Sequence, residues 1–545
     1  MRTLRKPLLA GALAAAAFGV VQSAPAGDQP AREYVVVYES DASGAAARDA
    51  VEDAGGTIVS ENSKVGVATV RSSESDFVRQ AGAEQALVGA AANKPIGKGD
   101  PGPKKEIPGA ADEGRRGASQ KAPEEAPQGD PLGADQWDMK MIGATPEQSY
   151  KTQPGSKDVL VGIIDTGVDG SHPDLAPNFV KSLSRNFTTD MPDIDGPCEV
   201  EDCKDPADVD EGGHGTHVAG TVGAALNGIG VAGVAPKTGI VNLRAGQDSG
   251  YFFLKPSVDA LTYAGDNGID VVNMSYYIDP WLYNCTANPA DSAEAQAQQK
   301  VIIEATQRAL HYAHDRGVTL IAAAGNQDDD LGDPEPESSS PDYPAGANYE
   351  RDATDDCLSL PTEGDNVLSI TALGPSKRKS FYSNYGISGA DLSAPGGDSR
   401  DTGDPAYPPL YKSQILSTYP AAVAKAELAR PTTNPAQYAT DGQSYWKRIQ
   451  GTSMASPHAT GVAALVVAEE GRHDPKHGGL TLKPAKVERI MRAQATDTAC
   501  PEPRLFDYPE PNSGDQYTAY CEGTPDRNGF YGDGIVDAGA VGAKR

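Results

Sequence analysis

The sequence predicts an α/β chain in which a parallel β-sheet lies between two layers of helices, preceded by a smaller α+β unit. Beyond residue 131, short apolar runs at 159–164, 241–244, 271–274, 318–323 and 367–371 alternate with helical stretches at 218–225, 301–315 and 455–469. Strands separated by helices imply parallel pairing with both sheet faces covered. Before residue 96 the order is different: strand, helix, two strands, helix, strand. Between the two regions lies a stretch with almost no large apolar residue.

The elements follow in order. Arg2, Arg5 and Lys6 precede an apolar run at 8–21 and then Ala24-Pro25-Ala26. A positive start, a short apolar stretch and small residues at a cleavage point make a signal peptide over 1–26. The run is too short to span a bilayer, and no other reaches about 18 apolar residues. The mature protein is therefore expected to be secreted, extracellular and without a membrane span.

Residues 33–96 form the small unit. The segment 34–38 is β-branched and aromatic, 42–54 is alanine-rich and ends at Gly55-Gly56, and strands follow at 57–60 and 65–71. Capping residues at 72–75 precede a helix over 77–87, and a strand near Val88 completes a ferredoxin-like βαββαβ pattern. Residues 97–131 are rich in Pro, Gly, Lys and Glu. They read as a flexible, protease-sensitive linker. Residues 132–545 form the larger unit, with acidic or Pro-rich insertions around 190–210, 328–356 and 396–450.

Composition narrows the partners. The net charge of −29 argues against nucleic acid or anionic membrane as the main partner. In an oxidising compartment the six cysteines are expected to form three disulfides. Six cysteines allow about 15 pairings, among which sequence alone does not choose. Order along the chain favours Cys198 with Cys203, Cys285 with Cys357, and Cys500 with Cys521.

Three segments carry chemistry. Val161 to Ile164 is an apolar run ending in Asp165 and a glycine turn, where α/β proteins place catalytic groups. His214-Gly215-Thr216-His217 opens a helix of small residues, and glycine stands where a zinc peptidase helix needs glutamate. In Gly451-Thr452-Ser453-Met454-Ala455-Ser456-Pro457-His458 a serine sits at a glycine-led turn into a helix. Its backbone N–H then points at a developing oxyanion from the positive end of the helix. Pro457 is expected in the first turn, where amides lack intrahelical partners.

Together these segments resemble the aspartate, histidine and serine signatures of the subtilisin-like serine proteases, in that family's order. The resemblance extends to Gly167, Val168, His172, Pro173, Asp174 and Leu175, to 230–236, to Ala322-Ala323-Ala324-Gly325-Asn326, and to 531–538. It implies a three-layer subtilisin-like fold and a serine endopeptidase acting on protein or peptide substrates. Ser453 would be nucleophile, His214 its base, and Asp165 the group orienting the imidazole. The Asn326 side chain and the Ser453 amide would hold the oxyanion. Ser275, Tyr276 and Tyr277 would line one side of the pocket for the residue before the cut bond, and Ala324 and Gly325 the other. Tyr277 stands where a small residue is usual, so its ring either fills that pocket or turns outward over the insertion around Cys285.

The resemblance also makes the first unit an inhibitory propeptide, with 93–96 as its inhibiting tail and cleavage between about 94 and 131. No cofactor is required for catalysis. Structural calcium is a family trait; Asp174 and Asn227 lie where one site would draw ligands, although the loop 226–230 is short for it. The acidic insertion with Asp190, Asp193 and Asp195 is a further calcium position. A monomer is expected. Two other readings compete: a narrow precursor-processing protease, and a catalytically silent binding protein on the same fold. A glutamate-based acid peptidase is disfavoured, because His214 occupies the base's place.

Overall fold

The computed structural model describes residues 31–93, 129–334, 336–337, 349–354, 356–401, 410–508 and 517–543. The expected signal peptide lies outside these residues, as do 97–128 of the expected linker and 94–96 of the expected tail.

Six elements build the small unit: β1 (Arg32–Tyr38), α1 (Gly44–Asp53), β2 (Thr57–Asn62), β3 (Val67–Ser72), α2 (Phe77–Ala81) and β4 (Leu87–Ala92). The strands form an antiparallel sheet in the order β2-β3-β1-β4. Side chains alternate along β1, as strand geometry requires. Tyr34, Val36 and Tyr38 share a core with Val51 of α1 and Phe77 of α2. Val35 and Val37 face the opposite way and join a core that also holds Val301 and Ile302 of the larger unit. One expectation fails here: α2 stops at Ala81 rather than running to 87. Gly82, the poorest helix former after proline, closes it through a hydrogen bond to the Val78 carbonyl of 3.1 Å.

The larger unit contains β5 (Leu160–Ile164), β6 (Arg185–Asn186), α3 (His214–Gly223), β7 (Gly239–Arg244), α4 (Leu254–Asp266), β8 (Val271–Met274), α5 (Ala293–His314), β9 (Thr319–Ala323), β10 (Val367–Leu373), β11 (Leu392–Pro395), α6 (Thr452–Glu470) and α7 (Pro484–Gln494). Its seven strands run β11-β10-β9-β8-β5-β7-β6, all parallel. The five apolar runs in the sequence are β5, β7, β8, β9 and β10. The edge strands β6 and β11 escaped notice because Arg-Asn and Leu-Ser-Ala-Pro are too short or too polar to register.

Period-two alternation divides the core into two layers. Val161 and Ile163 of β5 meet Val218 and Val222 of α3 and Met454 and Val466 of α6 on one face. On the other, Val272 and Met274 of β8 meet Leu261 of α4 and Ala309 of α5. The result is the three-layer α/β architecture of the sequence analysis. From β5 the chain builds outward through β7 on one side and then returns to β8 on the other. Such a reversal opens a crevice at the carboxyl ends of the strands, the usual place for chemistry. Asp165 follows β5 at that point.

The small unit sits on α4 and α5. Asn62 Nδ2 donates to Asp259 (2.9 Å) and Thr262 (2.8 Å), Arg308 donates to the Tyr38 carbonyl (2.7 Å), and the Ala92 N–H donates to Gln298 (3.0 Å). Lys64 pairs with Asp266. The disulfides are Cys198–Cys203, Cys285–Cys357 and Cys500–Cys521, as chain order favoured. Among the described residues no helix is long and apolar enough to cross a membrane.

Candidate active site

Asp165, fully buried after β5, accepts at Oδ1 from the Thr166 N–H (2.8 Å) and pairs with His214 Nδ1 at 2.7 Å. His214 is the first residue of α3, and that helix enters very close to the Asp165 turn. A Cβ on Gly215 would lie 2.1 Å from the Gly167 carbonyl, so only glycine permits the approach.

The N-terminus of α3 has a cap that sequence reasoning did not find. Asp210 Oδ1 accepts from the Gly212 N–H (3.1 Å), the Gly213 N–H (2.8 Å) and Thr166 Oγ1 (3.0 Å). Its Oδ2 accepts from Thr216 N–H (2.9 Å) and Oγ1 (2.6 Å). These bonds satisfy amides that every helix start leaves open. A carboxylate four residues before the histidine was the available signal, but Asp210 falls at the end of the acidic insertion around 190–210 and did not stand out from it.

Burial pulls the His214 pKa down while the Asp165 charge and hydrogen bond push it up, and the net shift is upward. The other ring nitrogen, Nε2, is buried without a hydrogen-bond partner. Ser453 is the second residue of α6, the helix packed against α3. Its Oγ donates to the Ser275 carbonyl at 3.3 Å. The structure therefore joins Asp165 to His214 but makes no hydrogen bond from Ser453 to His214.

Asn326 follows β9. Its Oδ1 accepts from Thr452 N–H and Oγ1, both at 2.9 Å, which leaves Nδ2 on the opposite side of the amide. Thr452 also accepts from the Gly325 N–H at 3.1 Å, so this one side chain ties the asparagine loop to the serine turn. Its adjacency to Ser453 was the only sequence signal of that role.

The expected position of Pro457 is corrected. Helix α6 begins at Thr452, so Pro457 lies in its second turn. Proline has no N–H for the Ser453 carbonyl four residues back. Ser275 Oγ donates to that carbonyl instead, at 3.1 Å, while also bonding Ser456 Oγ at 2.8 Å.

The pocket residues divide. Tyr276 is buried and stacks on Phe252 with centroids 4.2 Å apart. Tyr277 is half-buried and packs against the cluster that holds Leu282, Leu331 and the Cys285–Cys357 bridge. Ala324 accepts from Asn384 Nδ2 at 3.0 Å, and the Gly325 carbonyl accepts from the Asn384 N–H at 3.0 Å.

Two places contain oxygen groups suited to a hard cation. Asp174 Oδ2 accepts from Val231 N–H (3.0 Å) and Trp446 Nε1 (2.8 Å), but its Oδ1 is buried without a partner, and burial pushes its pKa up to about 7. Asp130 nearby also has one orphaned oxygen. Asn227 is exposed, and its Oδ1 accepts from the Ile229 N–H of its own loop (3.1 Å). In the acidic insertion the grouped residues are Asp190, Glu199 and Asp205, with one ligand atom from each within 4.8 Å of the others. Asp193 and Asp195 do not join them; Asp195 accepts from the backbone of Met191 (2.7 Å) and from Ser249 N–H (3.0 Å) and Oγ (2.7 Å). Both oxygens of Asp190 are buried without hydrogen bonds, and Arg244 stands 3.6 Å away.

The family model described as the subtilase family matches residues 156–519. The chain belongs to the subtilase family. It is 29% identical over 329 residues to the thermophilic serine proteinase of Bacillus sp. strain AK1, a match covering 60% of this chain and 56% of that one. Thermitase of Thermoactinomyces vulgaris is 28% identical over 313 residues, covering 57% of this chain and 75% of its own. Among solved structures, the epidermin leader peptide processing serine protease of Staphylococcus aureus superposes with a TM-score of 0.62 at 21% identity, covering 94% of this subtilase and 99% of the other chain. The crevice at β5, with Asp165, His214 and Ser453 on three separate elements, is thus set in a subtilase fold.

Proposed function

We propose that this subtilase is a secreted serine endopeptidase, made as an inactive precursor, that cuts protein substrates through an acyl-enzyme. The observation that carries the reading is the 2.7 Å Asp165–His214 bond, with the unpartnered His214 Nε2 on a helix packed against the one that bears Ser453. A serine hydroxyl is a poor nucleophile at neutral pH and needs such a base. Rotation of Ser453 Oγ from the Ser275 carbonyl toward His214 completes the relay. Hydrogen bonds of this kind are often long or unmade before substrate arrives.

As Oγ bonds to the substrate carbonyl carbon, its proton passes to His214 Nε2. Asp165 holds the Nδ1 proton in place and offsets the imidazolium charge. Asn326 Nδ2 and the Ser453 N–H stabilise the oxyanion, helped by the positive end of α6. His214 then protonates the leaving amine, and water, deprotonated by the same base, hydrolyses the ester. Replacement of Ser453 by Ala is expected to abolish peptide hydrolysis and leave the precursor at full size. Hydrolysis by Ser453→Ala, measured against a vector-only preparation, would overturn the reading.

The unit 33–96 acts in this reading as an intramolecular inhibitor, and its docking on α4 and α5 supports it. Catalysis needs no cofactor in this reading, and the mature enzyme is an extracellular monomer. Calcium is a structural ion. Asp190, Glu199 and Asp205 would hold it, with Asp174 and Asp130 as a second place; carboxylate oxygens are the ligands calcium takes. Calcium at about 100 times its Kd stabilises a binding protein by about 2.7 kcal/mol. Scanning calorimetry with calcium and with chelator is expected to show a higher Tm with calcium, and a smaller gap in Asp190→Asn. Identical melting curves would contradict it.

A further inference from the structure

Lys379 is a fully buried ammonium, and each of its three donors is engaged. It bonds Asp328 Oδ1 at 2.5 Å, the Ser383 carbonyl at 2.7 Å and the Ser380 carbonyl at 3.2 Å. The rings of Tyr385, Tyr508 and Phe530 surround it, with centroids at 4.9, 5.1 and 5.8 Å. A buried charge persists only where a partner and hydrogen bonds hold it, so this lysine demands a reason.

The reason lies in what Asp328 does. It stands two residues beyond Asn326 with φ at 63°, in the left-handed region that side chains other than glycine rarely adopt. The loop from Ala324 to Asp329 is laid along the segment 380–385. Asn384 Oδ1 accepts from the N–H groups of Gln327 (2.9 Å) and Asp329 (3.1 Å), and its Nδ2 donates to the Ala324 carbonyl (3.0 Å). The Asp328 N–H donates to the Tyr382 carbonyl at 2.9 Å. At the front, Gly325 has φ of 106°, and a Cβ there would lie 2.4 Å from Asn384 Nδ2. The loop is thus fixed at its near end by Thr452 and along its middle by Asn384. Its far end, in a disfavoured conformation, is held by the Asp328 N–H bond to the Tyr382 carbonyl and by the ion pair between the Asp328 side chain and Lys379.

We infer that Lys379 is a positioning residue for the oxyanion site: through Asp328 it holds the backbone that sets where Asn326 Nδ2 points. The inference rests on the proposed role of Asn326. Oxyanion stabilisation depends on a donor about 3 Å from where the charge develops, so a displaced amide loses transition-state contact before it loses ground-state binding.

The test compares the full chain with Asn326→Ala, with the pair Lys379→Met plus Asp328→Asn, and with all three changes together. The paired change removes both charges, so neither is left buried alone; Asp328→Asn by itself is a second variant that keeps the side chain's size but leaves the Lys379 charge without its counterion. Kinetics on a peptide anilide are taken per active site titrated with a fluorophosphonate, which removes unfolded material from the count. The paired variant is expected to lose about tenfold or more in kcat, with KM within about twofold, a loss smaller than the ~10²–10³ known for an oxyanion asparagine in subtilisin. Asp328→Asn is expected to lower kcat in the same direction. In the Asn326→Ala background the paired change is expected to cost nothing further, because residues acting through one contact are not additive. Unchanged kcat in both Asp328→Asn and the pair overturns the inference while leaving the oxyanion role intact. Multiplying losses in the triple variant also overturn it, since they mark a general structural effect. Full turnover in Asn326→Ala alone overturns the role of Asn326 itself, and the inference with it.

Discussion

His214 concentrates the chemistry of the site in one ring. Burial disfavours its charged form, but Asp165 at 2.7 Å favours it more, so the imidazole gives up its proton at higher pH than an ordinary histidine. The base of the proposed mechanism works only when neutral. Activity should therefore be absent at low pH and appear as pH rises through the raised value, placing the acid limb of kcat/KM above about 6.5. A rate profile from pH 4 to 10 checks this; an acid limb near 4, where carboxylates titrate, would contradict it. The three residues of the proposed relay stood out because each sits in a run of unusual neighbours: an apolar strand before Asp165, small residues after His214, a glycine-led turn at Ser453. Asp210, Thr452 and Lys379 were not. Their hydrogen-bond partners lie up to 127 residues away, and nothing local separates a capping aspartate from a solvated one, or a buried lysine from an exposed one.

At the scale of elements, legibility followed hydrophobic period. Strands buried on both faces, such as Val271–Met274, declare themselves as apolar runs, whereas the edge strand Arg185–Asn186 does not. Helix α4 was missed because Pro256 and Gly265 interrupt its pattern, yet it is one of the two helices on which the small unit rests. That contact has a measurable consequence. Arg308 of α5 donates to the Tyr38 carbonyl at 2.7 Å, and a hydrogen bond from a charged group contributes about 1.5–3 kcal/mol. Arg308→Ala is expected to weaken inhibition of the mature enzyme by added unit 33–96 about tenfold or more. An unchanged inhibition constant would mean that the unit does not inhibit from this position.

Across the whole molecule, the architecture accounts for why distant segments meet. Parallel order with a reversal at β5 brings the carboxyl ends of β5 and β9 and the starts of α3 and α6 toward one crevice, although Asp165 and Ser453 are separated by most of the catalytic unit. The insertions were legible as acidic loops, but their internal order was not. The Cys198–Cys203 bridge flanks Glu199, and only folding groups that residue with Asp190 and Asp205. The central claim is that one serine among many is a nucleophile activated by this arrangement. Incubation of the folded protein with a fluorophosphonate, followed by peptide mass spectrometry, tests it most directly. A single adduct on Ser453, lost when His214 is replaced by Ala, is the expected result; no adduct, or one on another residue, would contradict the account.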